Sequence, residues 1–278
     1  MKFRNRTTSI GIFAVINLVL FAYAVVTGHS QNREPSADVK AKLFKQVLAD
    51  MSEFRECAQQ SEGGVDAAQE GIYVEEFDLN RDGKQEYQIE LVGQCGCAAH
   101  DCSIYLYRQS SQGFEQILDG FGIGLEVLKS YTNGYADVRL GARNNAASQS
   151  ETTYKFDGKE YRESNTMLVH VETGETKPAF RRVQFKRGTS SATMIGRASI
   201  ALPDTFLIGA RSGQVMTVQL TAPRKTLRFL VMSPTTRSLV ADNARSWTGP
   251  LPESGDYRII VDSDDERPSQ YSLTISVK

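Results

Sequence analysis

Among residues that carry chemistry near neutral pH, this chain of 278 has least histidine: three in all, and beyond residue 30 only His100 and His170. It also lacks a G-x-S-x-G elbow, an H-E-x-x-H pair and a phosphate-binding glycine loop. Those gaps remove the sequence signatures of serine hydrolases, zinc peptidases and nucleotide-dependent enzymes. Neighbouring acids do occur, at Glu75-Glu76 and Asp264-Asp265-Glu266, but such runs on a strand or loop read as a solvated face. The chain therefore reads as a protein without catalytic activity. Aromatic residues are sparse among its lysines and arginines, which argues against nucleic acid as a partner.

The length suits two modest cores better than one large one. At the N-terminus Lys2, Arg4 and Arg6 precede an apolar run from Ile10 to Val26, followed by TGHSQ. That is the basic, apolar, small-residue order of an export signal. Residues 1–30 are expected either to be cleaved after Gly28 or to stay as an anchor through residues 10–26. Either outcome makes the protein periplasmic or secreted, with this segment its one membrane contact. No cysteine follows the apolar run, so no lipid-modified N-terminus is expected.

Setting residues 1–30 aside leaves 29 basic against 33 acidic side chains. From Arg182 onward 13 basic face 8 acidic residues, a net +5, which leaves −9 for residues 31–181. Opposite charge in the two halves suggests a boundary. We expect a first domain over residues 31–165, a linker over 166–180 around ETGETKP, and a second domain over 181–278. The dispersed pairs Arg181-Arg182, Lys186-Arg187 and Arg224-Lys225 read as strand edges that discourage sheet-to-sheet aggregation.

In the first half, Val39, Leu43, Val47, Met51 and Phe54 recur at helical spacing and predict one helix from Ala37 to about Gln59. From Gly71 the pattern becomes short β segments: GIYVEEFDL, EYQIELVG, SIYLYRQ, GFEQIL, YADVRL and TTYKFDGKEY. Asn133-Gly134 and Asp157-Gly158 are hairpin signals between them. Within this half DLNRDGKQE places Asp78, Asn80, Asp82, the Lys84 carbonyl and Glu86 at alternate positions around a turn at Gly83. Such a loop converges hard oxygens suited to a structural Ca²⁺. It is not an EF-hand, because the twelfth position is Ile89 and strand-like sequence follows. The nine residues resemble the calcium loops of integrin-like extracellular β repeats; the alternative is an Asx-rich turn without metal.

Four cysteines also lie here: Cys57, Cys95, Cys97 and Cys102. In an exported protein they read as two disulfides. A Cys95–Cys97 bridge is set aside because residues two apart in a strand hold their side chains badly for it. Cys57 is then expected to join Cys95 or Cys97, the other closing on Cys102. A zinc site with His100 is the alternative, but C-x-C-x4-C is unlike the usual zinc spacing.

The second half has a steady β rhythm: RVQFK, ATMIGRAS, DTFLIGA, QVMTVQLT, TLRFLVM, DYRIIVD and YSLTISVK, with no helical stripe between them. That predicts an antiparallel β-sandwich. Its core is expected from Val183, Phe185, Phe206, Ile208, Val215, Val218, Leu220, Phe229, Val231, Ile259, Val261, Leu273, Ile275 and Val277. The fold class is thus mainly β, a helix plus a small β domain followed by a sandwich.

Gly188, Ser190, Ser191 and Ala192, then Leu251, Pro252, Ser254, Gly255, Tyr257 and Val261, stand in VQFKRGTSSATMIGR and LPESGDYRIIV. Together with ARSGQVMTVQL, LVMSP and YSLTISVK, these segments resemble the periplasmic inhibitors of g-type lysozyme, in the same order, over about the last third of the chain. They are also similar to accessory domains of bacterial secreted peptidases. The resemblance implies a sandwich that binds a g-type lysozyme through Ser254, Gly255, Asp256, Tyr257 and Arg258. It also implies arginines after the Tyr257 strand, where this chain has the acidic run DSDDE. Pro252 limits φ and Gly255 admits positive φ, so the corner is expected to be stiff. The alternative role is a calcium-supported module for a cell-envelope ligand, with Ser254-Gly255 merely a hairpin turn.

Overall fold

The computed structural model describes residues 34–278, so the export segment expected over residues 1–30 lies outside the described residues. The described residues open with α1 (Ala37–Asp50), capped by the Ser36 hydroxyl, then α2 (Ser52–Gln60) and α3 (Gly64–Glu70). The single helix expected to Gln59 is broken at Met51, whose backbone (φ −111°, ψ 87°) leaves the helical region while its N–H still bonds the Val47 carbonyl. The bend brings Phe54 edge-on to Phe44, ring centroids 6.4 Å apart. Burial of both rings outweighs the lost helical continuity.

Two five-stranded antiparallel sheets follow. The first holds β1 (Ile72–Phe77), β2 (Glu86–Leu91), β3 (Cys97–Ala98), β4 (Asp101–Ser110) and β5 (Gly113–Gly122), with β4 pairing to β2, β3 and β5. Strand periodicity sends Tyr105 and Tyr107 to the helices, where they join Leu43, Val47, Tyr87 and Ile89. Ile104 and Leu106 point the other way, to Val138, Leu140 and Phe156 of the second sheet. That sheet runs β10-β9-β8-β7-β6: β6 (Leu125–Thr132), β7 (Tyr135–Arg143), β8 (Ser148–Phe156), β9 (Tyr161–His170) and β10 (Thr176–Pro178). Asn133-Gly134 turns β6 into β7 with both φ positive, at 49° and 85°, the two-residue geometry that matches strand twist. Phe156 pairs with Tyr161 across the Asp157-Gly158 turn. The stretch 166–180 carries the end of β9 and its partner β10, with Thr176 opposite Val169.

The rest is a sandwich. One sheet is ordered β11-β13-β18-β15-β16 and the other β12-β19-β14-β17. The strands are β11 (Arg181–Arg182), β12 (Ser191–Ala198), β13 (Asp204–Ala210), β14 (Val215–Thr221), β15 (Leu227–Met232), β16 (Leu239–Ala244), β17 (Ser246–Pro250), β18 (Gly255–Ser263) and β19 (Ser269–Val277). Pairing is antiparallel except between β11 and β13. The expected core is buried here, with Phe185 packed partly against it, and Met216, Leu227, Tyr257 and Tyr271 join it. Val215 is the correction. It is 43% exposed, because Met216, Val218 and Leu220 share the inward phase of β14 and Val215 falls on the outer one. Among the described residues no helix is long and apolar enough to cross a membrane.

Candidate functional site

Leu251 to Ser254 is not a hairpin turn. It carries the chain from β17 in the four-stranded sheet to β18 in the five-stranded one, so it is a crossover at one end of the sandwich. Leu251 anchors its start: the side chain is buried, its N–H donates to the Gln214 carbonyl (2.8 Å) and its carbonyl accepts from Gly213 (2.9 Å).

Tyr257 anchors its end. Its ring is wholly buried in the core, and its hydroxyl both accepts from the Glu253 N–H (2.9 Å) and donates to the Glu253 carbonyl (2.8 Å). A residue expected to touch a partner is therefore inside, holding the corner from beneath. Neighbouring turns brace it further. Ser254 Oγ accepts from the Ser212 N–H (2.9 Å) and Ser212 Oγ donates to the Pro252 carbonyl (2.9 Å). The Glu253 carboxylate accepts from the Thr235 N–H (2.9 Å) and the Thr236 hydroxyl (2.6 Å). These bonds, the Thr236 hydroxyl foremost, hold the Glu253 carboxyl below its usual range.

Gly255 sits at φ +141°, and a Cβ there would meet Pro234 at 2.8 Å, so only glycine fits. Asp256 is exposed and forms a two-point ion pair with Arg182, NH1 donating to Oδ1 at 2.9 Å, which lowers its carboxyl pKa. Arg258 is half-buried on the outer face of the sheet, its guanidinium 5.8 Å from the Phe180 ring. The surface offered outward is thus Pro252, Ser254, Gly255 and Asp256. Sequence reasoning missed Ser212, Thr235, Thr236 and Arg182, which lie 17 to 74 residues away in sequence. The local signals that could have found them are Ser212 within ARSG and Thr235-Thr236 directly after LVMSP, hydroxyl residues in turns.

The loop from Asp78 to Glu86 turns at Gly83 (φ +82°), as its sequence implies. Its side-chain oxygens accept from the loop itself: Asp78 Oδ2 from Gly83 N–H (3.1 Å), Asn80 Oδ1 from Asp82 N–H (2.9 Å), Asp82 Oδ1 from Lys84 N–H (2.7 Å). Glu86 is buried and accepts from Leu79 N–H (2.8 Å) and Asn80 Nδ2 (3.3 Å). Burial, with Asp82 and Asp78 nearby, pushes its carboxyl up to about 7. The donor chemistry suits a hard cation, yet among the described residues no three His, Cys, Asp or Glu side chains stand close enough to share one.

The cysteines pair as Cys57–Cys95 and Cys97–Cys102. The first ties α2 to the segment before β3, and the second joins directly opposed residues of β3 and β4. No thiolate remains for zinc.

No protein-family model and no curated protein matches the chain. Among solved structures, the periplasmic inhibitor of g-type lysozyme from Aeromonas hydrophila is 26% identical with a TM-score of 0.34, over 36% of this chain and 96% of that protein. The corresponding Salmonella Typhimurium inhibitor is 23% identical, TM-score 0.31, over 37% of this chain and 100% of that protein. The pre-peptidase C-terminal domain of a Bacillus anthracis collagenase is 15% identical, TM-score 0.28, over 36% and 94%. The chain therefore resembles such domains over about a third of its length.

Proposed function

We propose that this is an exported, non-catalytic binding protein whose sandwich inhibits a g-type lysozyme by presenting the Pro252–Asp256 corner to the enzyme's cleft. The observation that supports it most is the double hydrogen bond between the Tyr257 hydroxyl and the Glu253 backbone. With the braces from Ser212, Thr235 and Thr236, it fixes the corner before any partner arrives, and a preordered loop loses less entropy on binding. The exposed residues belong to the segment LPESGDYRIIV that resembles the inhibitors. Between Glu253 and Arg267 six acids stand against two arginines; with Asp256 and Asp265 paired to Arg182 and Arg224, this leaves a small local negative patch for a cationic partner on a sandwich whose net charge is +5.

The test is substitution at the exposed point. Ser254→Arg exchanges one surface hydrogen bond for a bulky cation and leaves the core untouched. Binding to g-type lysozyme, read by calorimetry, should fall at least about tenfold, as for a central interface contact, with the unfolding transition nearly unchanged. Undiminished binding would remove the corner from the interface.

A structural Ca²⁺ belongs to the alternative reading, a calcium-supported module for a cell-envelope ligand. Asp78, Asn80, Asp82, Glu86 and the Lys84 carbonyl would hold it only after Asp78 and Asp82 release the N–H groups of Gly83 and Lys84 and the carboxylates draw together, and it would then pin β1 to β2. Added CaCl₂ should then raise the melting temperature and EDTA reverse it, with Asp82→Ala abolishing the response; no shift on either addition would leave the loop an Asx-rich turn.

A further inference from the structure

A solvent-open depression of about 720 Å³ lies at the other end of the chain, where the last turns of α1 face the β4–β5 hairpin. That is within the roughly 300–1,000 Å³ of small-molecule sites. We propose that it binds a neutral saccharide.

The lining selects the ligand class. It contains no lysine, arginine or histidine, so an anion finds no counter-charge. One aromatic ring, Phe114, is its single large apolar residue, which is too little for an apolar ligand. The remaining groups are hydroxyls, amides and two carboxylates. Both carboxylates are already positioned. Asp50 accepts from Gln46 Nε2 (2.9 Å) and from the hydroxyl of fully buried Tyr107 (3.1 Å). Glu115 accepts from Arg108 through Nε (3.0 Å) and NH2 (2.9 Å), all on Oε2. Their remaining lone pairs serve a ligand that donates hydrogen bonds.

The walls are ordered too. Gln46 and Asp50 lie one helical turn apart on the same face of α1. Opposite them Ser110 pairs with Gly113 around the two-residue turn Ser111-Gln112. Phe114 is half-buried and fixed edge-on to Tyr87, centroids 5.6 Å apart. A sugar ring has this double character: hydroxyls around its rim that donate to carboxylates and exchange bonds with amides, and a C–H face that lies on an aromatic ring. The inference does not depend on the lysozyme reading, and gives the cell-envelope alternative a place and a chemistry.

The test is an NMR titration of the full chain without its export segment, using N,N′-diacetylchitobiose, cellobiose and maltose. At least one sugar should move the amide signals of Gln46, Asp50, Gln112 and Phe114, with a Kd on the order of 1 mM. Asp50→Asn, which weakens a charged acceptor, should reduce affinity by about tenfold. Gln112→Ala, on an exposed turn, should fold normally and also weaken binding, while Ser254→Arg should leave sugar binding intact. Absence of shifts with all three sugars would overturn the proposal, as would binding that survives both cavity substitutions undiminished.

Discussion

Lys177 on β10 reaches into the sandwich and spends all three of its protons there. Nζ donates to the Arg197 carbonyl (3.1 Å), the Leu202 carbonyl (2.6 Å) and Asp204 Oδ1 (3.1 Å). Asp204, with a side chain 6% exposed, is also held by Arg181 (2.9 Å) and by the Tyr271 hydroxyl. Gly196 allows this crowding, since a Cβ there would stand 2.3 Å from Asp204 Oδ2. Removing one partner of a buried pair costs roughly 3–5 kcal/mol. In Lys177→Met the carboxylate keeps Arg181 and Tyr271, so we expect about 2–3 kcal/mol by urea unfolding, the two orphaned carbonyls included. A cycle with Asp204→Asn should show coupling of about 1 kcal/mol or more.

The pH dependence separates the cost of burying the Lys177 charge from the bonds that it makes. Burial lowers the Lys177 pKa from its ordinary 10.5, against the opposing pull of Asp204. The folded state then sheds its proton before the unfolded chain does, so this group adds stability as pH rises from the lowered value to 10.5. Wild type minus Lys177→Met should show that slope. A stability loss below about 0.5 kcal/mol, typical of exposed pairs, would refute this account of Lys177.

The Tyr257 hydroxyl makes two backbone bonds, so Tyr257→Phe should cost about 1–3 kcal/mol in unfolding free energy and weaken lysozyme binding, although the side chain never reaches the partner. Glu253, held below its ordinary 4.5, supports the corner above that value; affinity for lysozyme should fall as pH drops below it and Thr235 and Thr236 are released, whereas a flat profile would detach this carboxylate from the corner's order. Breaking Cys57–Cys95, which spans 38 residues, should cost about 4 kcal/mol against about 2 for the five-residue span of Cys97–Cys102; equal losses in the two Cys→Ser pairs would show that loop length does not govern them.

Strand content was readable because period-two alternation survives burial on one face, as along Ile259, Val261, Leu273, Ile275 and Val277. It failed where that signal is short or ambiguous. β16 and β6 carry register shifts against their partners, and SWTGP in β17 contains Gly and Pro. RVQFK was expected as a strand, but of its residues only Arg182 lies in β11, alongside β13; Val183 still donates its N–H to the Leu207 carbonyl (2.8 Å) and is buried. Helical spacing across Met51 hid a break because positions before and after it face the same core. The corner itself was legible as stiff from Pro252 and Gly255. That it crosses between sheets, with Tyr257 inward, depends on pairings distant in sequence, which no local pattern records.

The most direct measurement is the clearing of a bacterial suspension by g-type, c-type and i-type lysozymes, with the purified protein titrated into each. The account predicts slowed clearing by the g-type enzyme alone, lost with Ser254→Arg. Unchanged clearing with the g-type enzyme at saturating protein would contradict it.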